Sequence, residues 1–419
     1  SGTTTPKDTT QRGFQYGLTT SYGSVAQDGT SIPFVYSSKY GSSGSSTGQF
    51  SDPRGVAVDV SGNVYVADNA NDRVQKFDAG GNFIAQIGGP GTGNGQFDGP
   101  NDVAFAADGS FYVTDGENHR VQKFDKDGNY INKWGVNGGA AGQFQRPRGI
   151  TIDAVGNIYV ADSLNSRIQK FDKNFNYLSS SPGNIFAGGA GAPTAVAIDA
   201  DNNIYVTVRS GANQVMKFDA SWNLITQWGD AGVSTADGKF NAPEDIALDV
   251  AGLVYVADSG NHRVQIFDSN GNFLQKVGAG VGASGSGDGQ FWWPKGLILD
   301  YLGRVIVADS SNGRVQTLTG SISSGLSGLI CNTTYHYRAY AVTSGGTSYG
   351  EDKTFITGAC SGDAFITTWK TDNPGVSASN QITIPTDSGS TYNYSVDWGD
   401  GNTTTGETGS ATHTYASSG

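Results

Sequence analysis

"GQFSDPRGVAVDVSGNVYVADNANDRVQKFDAGGNFIAQIG", Gly48–Gly88, and "GQFDGPNDVAFAADGSFYVTDGENHRVQKFDKDGNYINKWG", Gly95–Gly135, are two versions of one unit. Further copies begin at Gly142, near Gly191, at Gly238 and at Gly289, which makes six, with a period near forty-seven residues. Each copy holds four short alternating runs, in the first copy Gly55–Asp59, Val64–Asp68, Arg73–Asp78 and Phe83–Gly88. Alternation with period two is the pattern of a strand with one face inward. The separators are turns of the type "DVSGN", Asp59–Asn63, which suit tight hairpins. Four-stranded units repeated radially build a β-propeller, so the fold class is all-β with a six-bladed propeller at its centre.

The sixth copy stops at "RVQTLTG", Arg314–Gly320, with no fourth run after it. "IPFVYSSKYG", Ile32–Gly41, has the look of a fourth strand and stands seven residues before Gly48, as Gly88 stands seven before Gly95. The spacing predicts that residues 32–41 complete the last blade and close the ring, which brings the propeller's entry and exit together.

Composition agrees. Gly, Ser, Thr, Asn and Asp are abundant, Met occurs once, and 419 residues suffice for two to four domains. No apolar run is long enough to span a membrane. A net charge of −12 argues against nucleic acid as a partner, because phosphate binding needs a basic face. The chain shows neither an initiator Met nor a signal peptide and reads as processed, trimmed or partial.

The recurring "NHRVQ", Asn118–Gln122 and Asn261–Gln265, with its NDRVQ, NSRIQ and NGRVQ variants, resembles the NHL repeat over roughly residues 31–320. The fourth copy departs most, since "TVRSGANQVMKFD" lacks the Asp and Arg of the other copies. Two further resemblances lie outside the repeats. "RGFQYGLTTSYGS", Arg12–Ser24, and "YHYRAYAV…KTFIT" within Ser321–Ala359 resemble the middle and last strands of a fibronectin type III-like module of bacterial surface proteins. Residues 1–30 and 321–360 are therefore read as one split sandwich with the propeller, 31–320, inserted in its loop. Ring closure keeps the two connections side by side, so such an insertion costs little chain entropy. "VDWGDGNTTTG" within 361–419 resembles a PKD-type immunoglobulin-like domain that stops before its last strand. The resulting open sheet edges predict self-association through residues 1–30 or 361–419, as a filament.

Cys331 and Cys360, the only cysteines, bracket a predicted hairpin whose midpoint falls at Gly345–Gly346. Antiparallel pairing would bring their sulfurs close enough for a disulfide, which by the chain-entropy argument stabilises by roughly 3–4 kcal/mol. An oxidised pair implies an extracellular setting at the cell surface.

Some NHL-like propellers are metal-dependent lyases or lactonases, whose chemistry needs His and carboxylates converging on the axial channel. Here there are four His. His119 and His262 occupy one repeat position and read as framework. Asp68, Asp115, Asp162, Asp258 and Asp309 recur opposite Arg73, Arg120, Arg167, Arg263 and Arg314, and read as blade-holding pairs. Calcium is the one cofactor left open, with Asp397, Asp400 and Asn402 of "DWGDGN" as weak candidate ligands. The departure most suggestive of binding is Phe291, Trp292 and Trp293, where other copies carry small or polar residues before the blade-start Pro. The sequence therefore predicts a non-catalytic extracellular adhesion or assembly protein that binds protein or glycan through its propeller. The alternatives are a secreted propeller enzyme of the lyase or lactonase type and a glycan-binding module.

Overall fold

The computed structural model describes residues 34–320, apart from 183–185, 187–190, 230–231, 250–251, 279–282 and 302, together with the flanking strands named below. Contacts divide the chain into a unit of Tyr36–Leu318 and a second unit that joins Ser1–Val35 to Thr319–Gly419.

The first unit consists of four-stranded antiparallel sheets: blade 1 (53–87), blade 2 (100–134), blade 3 (147–180), blade 4 (192–229), blade 5 (243–278) and blade 6 (294–320 with 34–40). Blade 6 takes its fourth strand from Phe34–Tyr40, at the other end of the unit. First strands touch in a closed series from blade 1 round to blade 6 and back, so they ring the axis. Second strands such as Val64–Asp68 and Ile158–Asp162 are buried throughout, because neighbouring blades cover both faces of the sheet. Fourth strands lie outermost and keep apolar side chains such as Ile84 and Leu178 exposed.

Packing between blades seals the ring. Val56, Val66 and Phe77 of blade 1 share a core with Ile306, Ala308 and Val315 of blade 6. The phenylalanine of each "GQF"-type stretch (Phe50, Phe97, Phe144, Phe240 and Phe291) is fully buried, each worth roughly 1.5–3 kcal/mol. The hairpin turns explain the recurring Asp: Asp59 Oδ1 accepts the N–H groups of Ser61 and Asn63 at 2.9 Å. Gly62 then takes φ +81°, a conformation glycine adopts without strain.

Each Asp–Arg pair bridges a second strand to the third: Asp68–Arg73 at 2.8 Å, Asp115–Arg120 at 2.7 Å, Asp162–Arg167 at 2.8 Å, Asp258–Arg263 at 2.7 Å and Asp309–Arg314 at 2.7 Å. All five carboxylates are fully buried. Blade 4 replaces both partners together, setting Val208 opposite Gln214 in the same ladder position. An exchange of both members for uncharged residues leaves no buried charge unpaired.

In the second unit, Arg12–Gly17 pairs with Ser24–Gln27 and with Thr334–Thr343, more than three hundred residues away. Thr334–Thr343 continues the ladder to Gly346–Tyr349 and Lys353–Ile356. Tyr394–Asp397 pairs with Thr403–Glu407, Ile322–Leu326 with Phe365–Trp369, and Gln381–Ile384 with Ala411–Thr414. Cys331, Cys360, Asp400, Asn402 and the side chain of Asp397 lie outside the described residues.

Candidate axial site

Every first strand carries a short variable step at or next to its start: Pro53-Arg54-Gly55, Pro100-Asn101-Asp102, Pro147-Arg148-Gly149, Pro193-Thr194-Ala195, Pro243-Glu244-Asp245 and Pro294-Lys295-Gly296. The pairing with the second strand shifts register at this step in all six blades. Such bulges re-aim side chains, here towards the axis. The bulk at this place is limited. A Cβ added at Gly55 would overlap the Asp102 carboxylate, and one added at Gly149 would meet the Cα of Ala195 at 2.6 Å. Four blades therefore carry Gly or Ala at the last residue of the step, and only blades 2 and 5, opposite each other in the ring, carry Asp.

Asp102 and Asp245 line a throat of about 30 Å³ on the axis, room for little more than a water. Asp102 accepts the N–H of Val103 at 2.8 Å and of Ile150 in blade 3 at 2.9 Å. Asp245 accepts the N–H of Ile246 at 2.8 Å and of Leu297 in blade 6 at 2.7 Å. Burial pushes the Asp245 carboxyl up to about 7, against those two N–H groups, and Glu244 adds to the rise. Burial, and then the charge of Asp245, hold Asp102 well above the carboxylate range. Two buried carboxylates lining one narrow throat titrate as a coupled pair, and each disfavours ionisation of the other.

Above the throat opens a cavity of about 360 Å³ lined by Arg54, Arg148, Arg209, Glu244, Trp293, Lys295 and Ser311. Arg148 meets Glu244 at 2.8 Å, and Arg209 takes the other oxygen of the same carboxylate. Asp52 receives Arg54 at 3.0 Å and Lys295 at 2.5 Å, together with the Ser310 hydroxyl. Its carboxyl drops to about 2: burial opposes ionisation, but Arg54 and Lys295 outweigh it. Burial, and then the crowding of other guanidinium groups, lower Arg148, while Glu244 opposes them.

Trp293 stands in this wall with φ +53° and 37% of its surface exposed. Its N–H donates to His262 Nδ1 at 3.2 Å, and the two rings meet edge to face at 5.8 Å. Trp292 is exposed, and its N–H donates to Asp309 at 2.7 Å. Phe291, grouped with them in the sequence, has no exposed surface and belongs to the blade core. His119 accepts the Arg146 N–H through Nδ1 at 3.1 Å, as His262 accepts that of Trp293; both imidazoles brace one blade against the next. Burial lowers His262 below its ordinary value, despite the opposing Ser259 contact and the charge of Asp309.

Among the described residues, no three His, Cys, Asp or Glu side chains converge to hold a metal, so the donors do not fit the metal of a metal-dependent lyase or lactonase. Sequence reading missed Arg54, Asp102, Arg148, Arg209, Glu244, Asp245 and Lys295. For all but Arg209, which ends a second strand, the signal lay in the two residues after each blade-start Pro, read as a column across the six copies.

The NHL repeat family matches residues 50–77, 97–124, 144–171 and 240–267. The chain is similar to the human NHL repeat-containing protein 3, 34% identical over 80 residues, which cover 19% of this chain and 22% of that protein. It is also similar to the probable peptidyl-alpha-hydroxyglycine alpha-amidating lyase pgal-1 of Caenorhabditis elegans, 31% identical over 137 residues, 32% of this chain and 38% of that protein. The chain thus spans well under half of these relatives. A solved structure of a protein of unknown function from Bacteroides thetaiotaomicron superposes with a TM-score of 0.58 at 17% identity, over 68% of this chain and 76% of that one. The chain folds as a six-bladed β-propeller, and four of its blades carry matched NHL repeats. The expectation that it is not an enzyme is corrected by the amidating lyase among its relatives. That expectation rested on the scarcity of His for a metal held by His and carboxylates in the axial channel.

Proposed function

We propose that the propeller is an enzyme of the lyase or lactonase type with the axial cleft as its reaction centre. The observation that carries this reading is the placement of two carboxylates on the inner strands of opposite blades, beneath a cationic cavity, where the other blades have Gly or Ala. The amidating-lyase relative supports it. The ionised member of the Asp102–Asp245 pair takes a proton from the substrate at the throat, and the protonated member supplies one to the departing group. A carboxyl poised near neutrality suits both tasks. Arg54, Arg148, Arg209 and Lys295 hold the substrate and stabilise developing negative charge. No observation on the described residues favours an adhesive or filament-forming role over this one.

Assay of the purified chain against lactones, esters and alpha-hydroxyglycine peptides tests the proposal. Asp245→Asn is expected to lower kcat/KM about 10²–10⁴-fold with folding retained. Turnover in no class, or turnover unchanged in Asp245→Asn, would sink it. What supports an extracellular address, with the fibronectin type III-like and PKD-type units as spacers, is the sequence: the bracketing Cys331 and Cys360 and the strand patterns of the flanks.

A further inference from the structure

We infer that the axial cleft takes a small carboxylate joined to a flat aromatic ring, the ring lying against Trp293 and the carboxylate against Arg148 and Arg209. The inference rests on the axial-cleft reading above and names its substrate class.

Charge comes first. The cavity gathers four cations, Arg54, Arg148, Arg209 and Lys295, against two paired carboxylates, Asp52 and Glu244. The throat below adds Asp102 and Asp245, both buried and both with ionisation disfavoured by burial. Cations therefore outnumber their paired carboxylates at the mouth, within a chain of net charge −12. A ligand that carries negative charge suits such a mouth.

Donors come second. Arg148 and Arg209 each bond the two-oxygen head of Glu244 through a single Nη. Their remaining N–H groups are left for the cavity, in the fork geometry that suits a planar carboxylate. Arg209 is itself a departure from the repeat. Its position holds Asn69, Gly116, Ser163, Ser259 and Ser310 in the other blades.

Shape comes third. Trp293 occupies a left-handed backbone position that blades 1, 2, 3 and 5 fill with Asp52, Gly99, Arg146 and Ala242, so it alone places an aromatic ring there. Its backbone bond and its ring contact to His262 hold the indole in place on the cavity wall. A stiff, part-exposed aromatic beside spare guanidinium donors matches a ligand with one flat apolar end and one anionic end.

The test uses phenylacetate as probe in titration calorimetry on the full chain at pH 7. Phenylacetate is expected to bind at least tenfold tighter than phenylacetamide, which keeps the ring and loses the charge, and at least fivefold tighter than acetate, which keeps the charge and loses the ring. Arg209→Ser and Trp293→Gly install residues that other blades carry at those places, so folding is retained, and each is expected to weaken binding at least fivefold. Asp245→Asn, inactive if the proposed function holds, is expected to bind phenylacetate at least as well as the native chain. Failure of the ligand class thus stays distinguishable from failure of the enzyme reading. Equal affinity for phenylacetamide, or affinity unchanged in Arg209→Ser, would overturn the inference. So would oligosaccharide binding lost in Trp292→Ala but kept in Arg209→Ser, with no phenylacetate bound.

Discussion

Replacing Arg263 with Gln should cost more than replacing Asp258 and Arg263 together. Arg263 is 1% exposed. It donates Nε to Asp258 at 2.7 Å, Nη1 to the Thr235 carbonyl at 3.0 Å, and Nη2 to the Ala236 and Lys239 carbonyls at 2.8 and 2.9 Å. Without it, Asp258 keeps the Asn241 N–H at 2.7 Å, the Asn261 amide at 2.9 Å and the Gln265 amide at 3.0 Å, but no counter-charge. Burial already raises this carboxyl against those partners and Arg263. Breaking a buried pair from one side costs about 3–5 kcal/mol. At about 2–4 °C per kcal/mol for a unit of this size, Tm should fall by roughly 6–20 °C. Asp258→Val combined with Arg263→Gln copies blade 4, where Val208 faces Gln214 in the equivalent ladder position. It removes the stranded charge and should recover about 1–3 kcal/mol relative to Arg263→Gln alone. Denaturant unfolding followed by Trp fluorescence, with calorimetric Tm, measures both. The sign with pH follows. An acid whose folded pKa is raised stabilises the fold below its unfolded pKa and loses that contribution as pH rises through the folded value, so the single variant's deficit should be smaller at pH 4 than at pH 8. A double variant no more stable than Arg263→Gln would refute the reasoning.

Two other perturbations test the axial site. The Asp102–Asp245 pair has raised folded pKa values, so its contribution is fully present below the unfolded carboxylate pKa and is lost as pH rises from about 4 through about 7. The stability difference between native chain and Asp245→Asn should drift across that window, and parallel Tm–pH curves for the two would contradict it. Gly296→Ala should destabilise by about 1–3 kcal/mol, because its Cβ would overlap the Arg54 carbonyl of the next blade, whereas Gly303→Ala, with open space around it, should pay only about 1 kcal/mol for its φ of +72°. Equal Tm losses for the two would argue against a tight throat.

The propeller was legible in the sequence because its causes are local. The alternating runs of Val64–Asp68 and Arg73–Phe77, the Asp59–Asn63 turn and its five counterparts act within a few residues of each other, and repetition averages away the exceptions. The recurring Asp and Arg were legible for the same reason, since each pair lies five residues apart in one hairpin. Even the long-range place of Phe34–Tyr40 followed from a short rule, the seven-residue spacing to the next copy. The axial site obeys no such rule. Two whole blades lie between Asp102 and Asp245, and nothing between them in the chain marks the pair. Each looks like one tolerated variant in a loop-proximal step until ring closure sets them face to face and burial lifts their pKa values. Arg209 reads as part of a degenerate fourth copy, and Trp293 as an oddity of the sixth. Only the closed ring puts them on one cavity wall, because convergence on an axis depends on the angle each blade contributes and not on distance along the chain.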